Sequence, residues 1–261
     1  MLETRTYGDR PYQAILVHGG PGAFGVLAPV AKVLSSRFGI VEALQSKKTI
    51  TELVSELKDI IIAHSDEPIH LVGYSWGAWL GYIFSAIHPE LVKKLVLVSS
   101  GPFDAAYASG IRETRLSRLS IEDKKLFETL EAKLNQSDIN RDTILLQYGN
   151  LISKADTFDP LEFEPNVEIN IDFEMFQSVW KEASELRKSG ELLKFGEKIS
   201  CPVVVIHGDY DSHPFDGVVM PLKPVINTSF KYVKLKNCGH TPWNERLSKH
   251  IFFDLLFEEI T

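Results

Sequence analysis

Apolar runs of strand length alternate with segments of helical periodicity along most of this chain, and this alternation restricts its fold most strongly. The short apolar runs cover residues 12–17, 69–72, 95–98, 203–206 and 230–235. Apolar residues recur at helical spacing in residues 27–37, 49–64, 76–88 and 244–258. Strands that alternate with helices favour a mostly parallel sheet covered by helices. The sequence therefore predicts an α/β fold.

Residues 102–198 interrupt this alternation. They are polar, follow a helical pattern and lack strand-like apolar runs. An insertion between two strands of the sheet would produce this pattern. We therefore predict a core built from residues 1–101 and 199–261, with a helical cap formed by residues 102–198.

The composition narrows the class of protein. The chain has 261 residues, of which 44% are hydrophobic and 24% charged, as in ordinary globular domains. Its net charge is −7 without a basic cluster, which argues against a nucleic-acid partner. No apolar run approaches the ~18 residues of a membrane span, and the first residues do not resemble a secretory signal. We expect a cytoplasmic protein without a membrane partner.

The two cysteines are expected to be free. Cys201 precedes one predicted strand and Cys238 follows the next, so parallel strands place them at opposite ends. A six-residue strand spans about 20 Å, far beyond the ~7 Å between bridged Cα atoms. Neither cysteine has metal-ligand spacing around it, and we expect neither a metal nor a cofactor.

The stretch GYSWG, residues 73–77, is the strongest chemical motif. It matches G-x-S-x-G, in which the serine lies on a sharp strand-to-helix turn that exposes its hydroxyl. An apolar run precedes it and a helical run follows, as the motif requires. Ser75 is therefore the predicted nucleophile, which needs a base to remove its proton.

A second glycine-rich turn, HGGPG at residues 18–22, also follows a predicted strand. Backbone N–H groups in such a turn can stabilise a developing oxyanion. Gly20 is the predicted donor, together with the backbone N–H of Trp76. An ordinary Gly-Pro turn is the alternative.

The base is predicted to be His240 in CGHTPW, residues 238–243. In the G-x-S-x-G class the partners follow in the order serine, acid, histidine. His240 lies between the last strand and the last helix, whereas His250 falls inside that helix and His213 lies beside the acid. The carboxyl ends of parallel strands share one edge, so a loop there can reach Ser75.

The acid is expected in HGDYD, residues 207–211, which follows the preceding strand. Asp211 lies far enough into the loop to approach the next strand's loop, and it is the favoured residue. Asp209 is closer to the strand end, where aspartate often makes turn hydrogen bonds. Asp209, Asp216 and Asp104 remain the alternatives.

Together these motifs resemble the α/β-hydrolase superfamily. HGGPG, GYSWG, HPELVKKLVLVSS, CPVVVIHGDYD and CGHTPWNE occur in the family's order, and the first two resemble its proline iminopeptidase-like and carboxylesterase-like branch. The resemblance implies roles for Gly20, Ser75, Asp211 and His240. The segment FGIVEALQSKKTITEL lacks the aspartate and glycines usual in the family, and one strand fits before Tyr12. We therefore expect about one strand fewer and a differently shaped pocket wall.

The predicted cap carries a run of acids. Residues 155–180 hold seven carboxylates and no lysine or arginine. Glu162, Glu164 and Glu168, near Pro160 and Pro165, are candidate ligands for a substrate's N-terminal ammonium, because one sign of charge concentrates the other. A solvated acidic surface is the alternative.

The favoured function is a serine hydrolase acting on a small ester or amide substrate through a Ser-His-Asp triad and an acyl-enzyme. A proline iminopeptidase acting on short peptides is the narrower alternative. A ligand-binding protein on a hydrolase scaffold is the non-enzymatic alternative. The sequence does not indicate an oligomeric state.

Overall fold

The computed structural model describes residues 3–136, 140–161 and 170–261. Its strands are β1 (Thr4–Tyr7), β2 (Tyr12–Val17), β3 (Ala23–Phe24), β4 (Gly39–Ala43), β5 (Ile69–Tyr74), β6 (Val92–Val98), β7 (Asn170–Ile171), β8 (Val203–Gly208) and β9 (Phe230–Leu235). Within these described ranges, seven strands form the main sheet in the order β1-β4-β2-β5-β6-β8-β9, and β3 pairs with β7. Only the β1–β4 pair of the main sheet is antiparallel. The predicted mostly parallel sheet is confirmed.

Helices cover both faces of this sheet. They are α1 (Ala28–Leu34), α2 (Ile50–His64), α3 (Trp76–Ile87), α4 (Ile111–Arg118), α5 (Ile121–Lys133), α6 (Arg141–Ala155), α7 (Phe173–Lys188), α8 (Glu191–Lys194), α9 (Phe215–Leu222) and α10 (Lys249–Ile260). Short 3₁₀ turns cover Pro89–Leu91, Ala105–Ala108, Phe195–Lys198 and Pro242–Asn244.

Strand β2 shows how the sequence forms two cores. Successive side chains on a strand point to opposite faces of the sheet. Ile15 and Val17 join the apolar cluster with α2 and α3, whereas Ala14 and Leu16 join the cluster with α1 and α10. Both faces are therefore buried, which explains why this strand is a continuous apolar run rather than an alternating one.

The predicted elements are present, but three strands, β3, β4 and β7, were not predicted, and α1 ends at Leu34 rather than Arg37. Strand β4 escaped prediction because Glu42 interrupts its apolar run, although this side chain is buried and accepts a hydrogen bond from Tyr7. Helix α9 was also not predicted. The final helix begins at Lys249 rather than Asn244, because Glu245 is extended and forms an antiparallel bridge with Pro160.

The chain between β6 and β8 contains the inserted helices α4–α8. Helices α4, α5 and α6 share a small apolar cluster of their own, centred on Phe127, Leu130 and Leu151. Helix α7 differs, because Met175 and Val179 join the main core beside α2 and α3. A division into a core and a cap at residues 101/102 and 198/199 stays a prediction.

Two further expectations can be compared with the structure. Cys201 and Cys238 are both free, as predicted, and both are buried. Among the helices of the described ranges, none combines the length and apolar character needed to cross a membrane.

Candidate active site

Ser75 lies on the turn between β5 and α3. Its φ and ψ are 54° and −115°, a conformation that costs backbone strain for a residue with a side chain. Its N–H still bonds to Val98 O at 2.9 Å, so the sheet holds the start of the turn. A Cβ on Gly77 would lie 2.1 Å from Val17 O, which explains why only glycine fits there. The turn therefore exposes the serine at the carboxyl edge of the sheet.

Ser75, His240 and Asp211 form one hydrogen-bonded chain. Nε2 of His240 lies 3.1 Å from Oγ of Ser75, and Nδ1 of His240 lies 2.7 Å from Oδ2 of Asp211. Asp211 has no exposed side-chain surface, whereas 14% of the His240 side chain is exposed. This is the geometry that lets an imidazole accept a hydroxyl proton while a buried carboxylate orients it.

The structure also distinguishes Asp211 from the other candidate acids. Asp209 is exposed, and its Oδ1 accepts the Cys238 N–H at 3.3 Å, which is a turn contact. Asp216 and Asp104 are exposed as well, and Asp104 accepts the N–H of Ala106. Of the four aspartates, Asp211 is the one that contacts His240.

The alternative histidines occupy different positions. His250 is exposed on α10, while His213 directs its Nδ1 to Oδ1 of Asp211 at 2.9 Å. Asp211, His213 and His240 each offer one ligand atom within 4.8 Å of the others, so among the described residues this group has metal-like spacing. Nδ1 of His213, however, faces Oδ1 of Asp211, and Nδ1 of His240 faces Oδ2. This is an arrangement of hydrogen bonds.

The charges of this chain of residues stabilise one another. Burial by itself would raise the pKa of Asp211, but the positive charge of His240 and the hydrogen bond from His213 hold that pKa well below its ordinary value. Burial would lower the pKa of His240, but the charge and hydrogen bond of Asp211 outweigh it, so that the pKa lies above its ordinary value. The imidazolium formed when His240 takes a proton is therefore stabilised.

The HGGPG turn lies directly against Ser75. A Cβ on Gly19 would lie 2.9 Å from Cβ of Ser75, and Gly20 has a φ of 57°. Trp76 is the first residue of α3, where backbone N–H groups have no partner within the helix. Gly20 follows Gly19, which contacts the serine, and Trp76 follows Ser75 directly; the oxyanion roles of Gly20 and Trp76 stay a prediction.

Gln45 connects this turn to α3, and the sequence analysis missed it. Its side chain is buried, donates to His18 O at 3.1 Å and accepts the Trp76 indole N–H at 2.8 Å. Its backbone N–H donates to Nε2 of His18. Burial lowers the pKa of His18 to about 4, so this histidine is neutral and structural.

A buried carboxylate and an ion pair support the His240 loop, and neither was predicted. Glu245 is fully buried and accepts the backbone N–H groups of Phe158, Asp159 and Gly239 at 2.8, 2.8 and 2.7 Å. Arg115 forms two hydrogen bonds shorter than 3 Å with Asp156. The acid in CGHTPWNE was visible in the sequence, but two of its three partners, Phe158 and Asp159, lie 87 and 86 residues away.

The acidic run does not present a set of free carboxylates in the described residues. Asp156 pairs with Arg115, Asp159 with Arg246 and Glu174 with Lys48. Asp172 caps α7 by accepting the N–H of Met175. The candidates Glu162, Glu164 and Glu168 lie outside the described residues.

Solved structures with the same fold include several hydrolases. The crystal structure of VinJ matches with a TM-score of 0.71 and 17% identity, covering 98% of this chain and 93% of that one. Proline iminopeptidase from Mycobacterium smegmatis gives a TM-score of 0.66 and 16% identity over 98% and 93%. A monoacylglycerol lipase from Paleococcus ferrophilus gives 0.63 and 15% over 100% and 98%. At these identities the likeness concerns the fold.

Curated relatives match shorter parts of the chain. A pimeloyl-[acyl-carrier protein] methyl ester esterase from Chromobacterium violaceum is 29% identical over 106 residues, covering 39% of this chain and 41% of the relative. Ethanol acetyltransferase 1 from Cyberlindnera fabianii is 33% identical over 78 residues, covering 30% and 23%. The chain therefore matches less than half the length of each.

The family profile matches most of the chain. The profile described as alpha/beta hydrolase fold aligns with residues 15–240, a range that begins in β2 and ends at His240. The range contains the serine turn, the Asp211 loop and the inserted helices between β6 and β8. The chain therefore belongs to the alpha/beta hydrolase fold family, as its motifs and sheet predicted.

Proposed function

We propose that this protein is a serine hydrolase that cleaves a small ester or amide through an acyl-enzyme. His240 takes the proton of Ser75, and the serine oxygen attacks the substrate carbonyl. The backbone N–H groups of Gly20 and Trp76 bind the oxyanion, and Asp211 stabilises the imidazolium. His240 then protonates the leaving group and activates the water that releases the acyl group.

The observation that carries this proposal is the unbroken hydrogen-bonded chain from Ser75 to Asp211. Its distances of 3.1 and 2.7 Å are within the range expected for a nucleophile, a base and an orienting acid. The strained backbone of Ser75 supports the same role, because strain of this kind clusters at functional sites.

An ester is the favoured substrate class. One of the curated relatives is named as a methyl ester esterase, and the resemblance to the carboxylesterase-like branch agrees with it. The proline iminopeptidase alternative rests on HGGPG and GYSWG. The engagement of the four described acids of the acidic run weakens that alternative, because an ammonium site needs carboxylates that are available to the substrate.

A fluorophosphonate probe tests the enzymatic mechanism. We expect rapid covalent labelling at Ser75 in the wild type and none in Ser75→Ala, with hydrolysis of short p-nitrophenyl esters lost in the same variant. The alanine is a small local change, so thermal unfolding should be unaltered. A Ser75→Ala protein that keeps more than a tenth of the wild-type turnover would refute the proposal. Absence of labelling and turnover in the wild type would favour the ligand-binding alternative.

A second comparison separates the substrate classes. Proline-naphthylamide and its N-acetylated form differ in the free amine that an iminopeptidase requires. We expect p-nitrophenyl esters to be the better substrates, with blocking of the amine having little effect on kcat/KM. Selective cleavage of the free-amine compound, reduced by a triple Glu→Gln replacement at Glu162, Glu164 and Glu168, would instead favour the peptidase.

A further inference from the structure

His213 has no role in the mechanism above, yet it directly contacts the acid. Both its backbone N–H and its ring Nδ1 lie 2.9 Å from Oδ1 of Asp211. The other oxygen of Asp211, Oδ2, faces His240. The carboxylate is thereby held by one residue on each oxygen, which leaves it little freedom to rotate.

Arg115 on α4 lies beside Nε2, the ring nitrogen of His213 that does not face Asp211. Nη2 of Arg115 lies 3.4 Å from Nε2 of His213. A guanidinium has only donors, so Nε2 of His213 must carry the lone pair, and its single ring proton must be on Nδ1. That tautomer can donate to Oδ1 of Asp211. The long contact to Arg115 is weak as a hydrogen bond, but its positive charge opposes a proton on Nε2.

The ion pair of Arg115 and Asp156 contacts both loops of the site. Nη2 of Arg115 lies 2.7 Å from Oδ2 of Asp156, and the backbone oxygen of Asp156 accepts the His240 N–H at 2.8 Å. One ion pair in the inserted segment thus reaches the acid loop through His213 and the base loop through His240. Asp156 is only 1% exposed, so water does not screen this pair.

We propose that His213 is a positioning residue for the acid, held as its neutral Nδ1–H tautomer by Arg115. This inference deepens the proposed function and rests on it. His213 supplies a donor to Asp211 without adding a positive charge beside His240. A cationic His213 would oppose the formation of imidazolium on His240, whose ring centroid lies only 4.7 Å away.

The groups around His213 agree with a neutral ring. Burial lowers its pKa most, and Arg115 and His240 lower it further, while the carboxylate of Asp211 raises it; the net direction is downward. His207 contacts the backbone oxygen of His213 through Nε2 at 2.7 Å and has a lowered pKa itself, chiefly through burial. The ring of His213 therefore stays neutral at the pH at which His240 gains and loses its proton.

The kinetic test compares His213→Leu with His213→Asn in the full-length protein. Leucine removes the ring donor but keeps the backbone N–H, and asparagine restores a side-chain donor near Nδ1. Loss of a hydrogen bond to a charged group predicts a kcat for p-nitrophenyl acetate at least about tenfold lower in the leucine variant, with KM within about twofold. The asparagine variant should recover most of the loss. His250→Leu, on the exposed face of α10, is the matched control and should behave as wild type.

The second test observes the tautomer directly and does not need activity. Imidazole NMR spectra should show His213 neutral with a proton on Nδ1 at neutral pH. In the double variant Arg115→Met/Asp156→Asn, which removes both charges together, the pKa of His213 should rise. If Ser75→Ala shows that the proposed function is wrong, this titration still tests the role of Arg115.

Four results would overturn the inference. A His213→Leu protein with kcat within twofold of wild type would show that the ring does not position Asp211. Equal losses in the leucine and asparagine variants would show that the donor is irrelevant. A proton on Nε2 of His213 would show that Arg115 does not hold the Nδ1–H tautomer. A pKa of His213 that is unchanged in the double variant would show that the charge of Arg115 does not act on the ring.

Discussion

Replacement of Glu245 should destabilise the protein more than replacement of any exposed acid of the same chain. The carboxylate is fully buried and accepts three backbone N–H groups, two from residues 158 and 159 and one from Gly239. Gly239 precedes the proposed base, and residues 158 and 159 belong to the inserted segment. Glu245 thus joins two parts of the chain that are distant in sequence.

The hydrogen bonds set the expected size of the effect. Glu245→Ala leaves one buried and two partly buried donors without a partner, at about 1 kcal/mol or more each, so a loss of about 3 kcal/mol is expected. Glu245→Gln keeps the shape, but its amide nitrogen must face one of the three N–H groups, which predicts a loss of about 1.5–3 kcal/mol. Either change is a large part of the roughly 5–15 kcal/mol that stabilises a domain.

Urea unfolding at pH 7 measures both losses. The expected order of stability is wild type, Glu245→Gln, then Glu245→Ala. We expect kcat to fall in the same order, because a shift of Gly239 displaces the adjacent His240. Glu128→Ala, at an exposed position on α5, is the matched control and should change stability by less than about 0.5 kcal/mol. If the free energy of unfolding of Glu245→Ala lies within 0.5 kcal/mol of the wild-type value, the three hydrogen bonds do not hold this loop.

Three further predictions concern charge in and around the site. Asp211→Asn should lower kcat by about 10⁴, as in a protease with the same triad, whereas Asp209→Asn should lower kcat less than about tenfold. The opposite ranking would show that Asp211 is not the acid. The acid limb of the kcat/KM profile should lie above the ordinary pKa of histidine, because Asp211 raises the pKa of His240, and it should move to lower pH in Asp211→Asn. The free energy of unfolding should fall between pH 7 and pH 5, because the pKa of buried His18 is about 4 in the folded protein and near 6.5 in the unfolded chain. This residue alone predicts a loss of about 2 kcal/mol, and equal urea midpoints with equal slopes at both pH values would contradict it.

The sequence predicted the parts of the site that lie close to strand ends. Ser75 follows β5 directly, and Asp211 follows β8 by three residues. Strands are recognisable as apolar runs, and parallel strands bring their carboxyl ends to one edge, so local patterns were enough to bring these residues together. The choice of Asp211 over Asp209 followed from its distance along the loop, and the contact with His240 agrees with it.

The supporting residues could not be predicted in the same way. Arg115 and Asp156 belong to two different inserted helices or their ends, and 41 residues separate them. Gln45 follows β4, a strand hidden by the buried Glu42. Contacts of this kind depend on how segments pack in space, which no local periodicity records. For the same reason the start of α10 was predicted too early. Glu245 is extended because it pairs with Pro160, a residue distant in the sequence.

His240 depends on these distant contacts more than its two partners do. It lies five residues beyond the end of β9, where the sheet no longer restrains the chain. The segment from Asp156 to Leu161 takes over this restraint through backbone contacts: His240 N–H to Asp156 O at 2.8 Å and Leu161 N–H to Asn244 O at 2.9 Å. Because the backbone makes these two bonds, side-chain replacements in the segment can leave them in place. The chain that leaves α6 therefore forms part of the support for the proposed base.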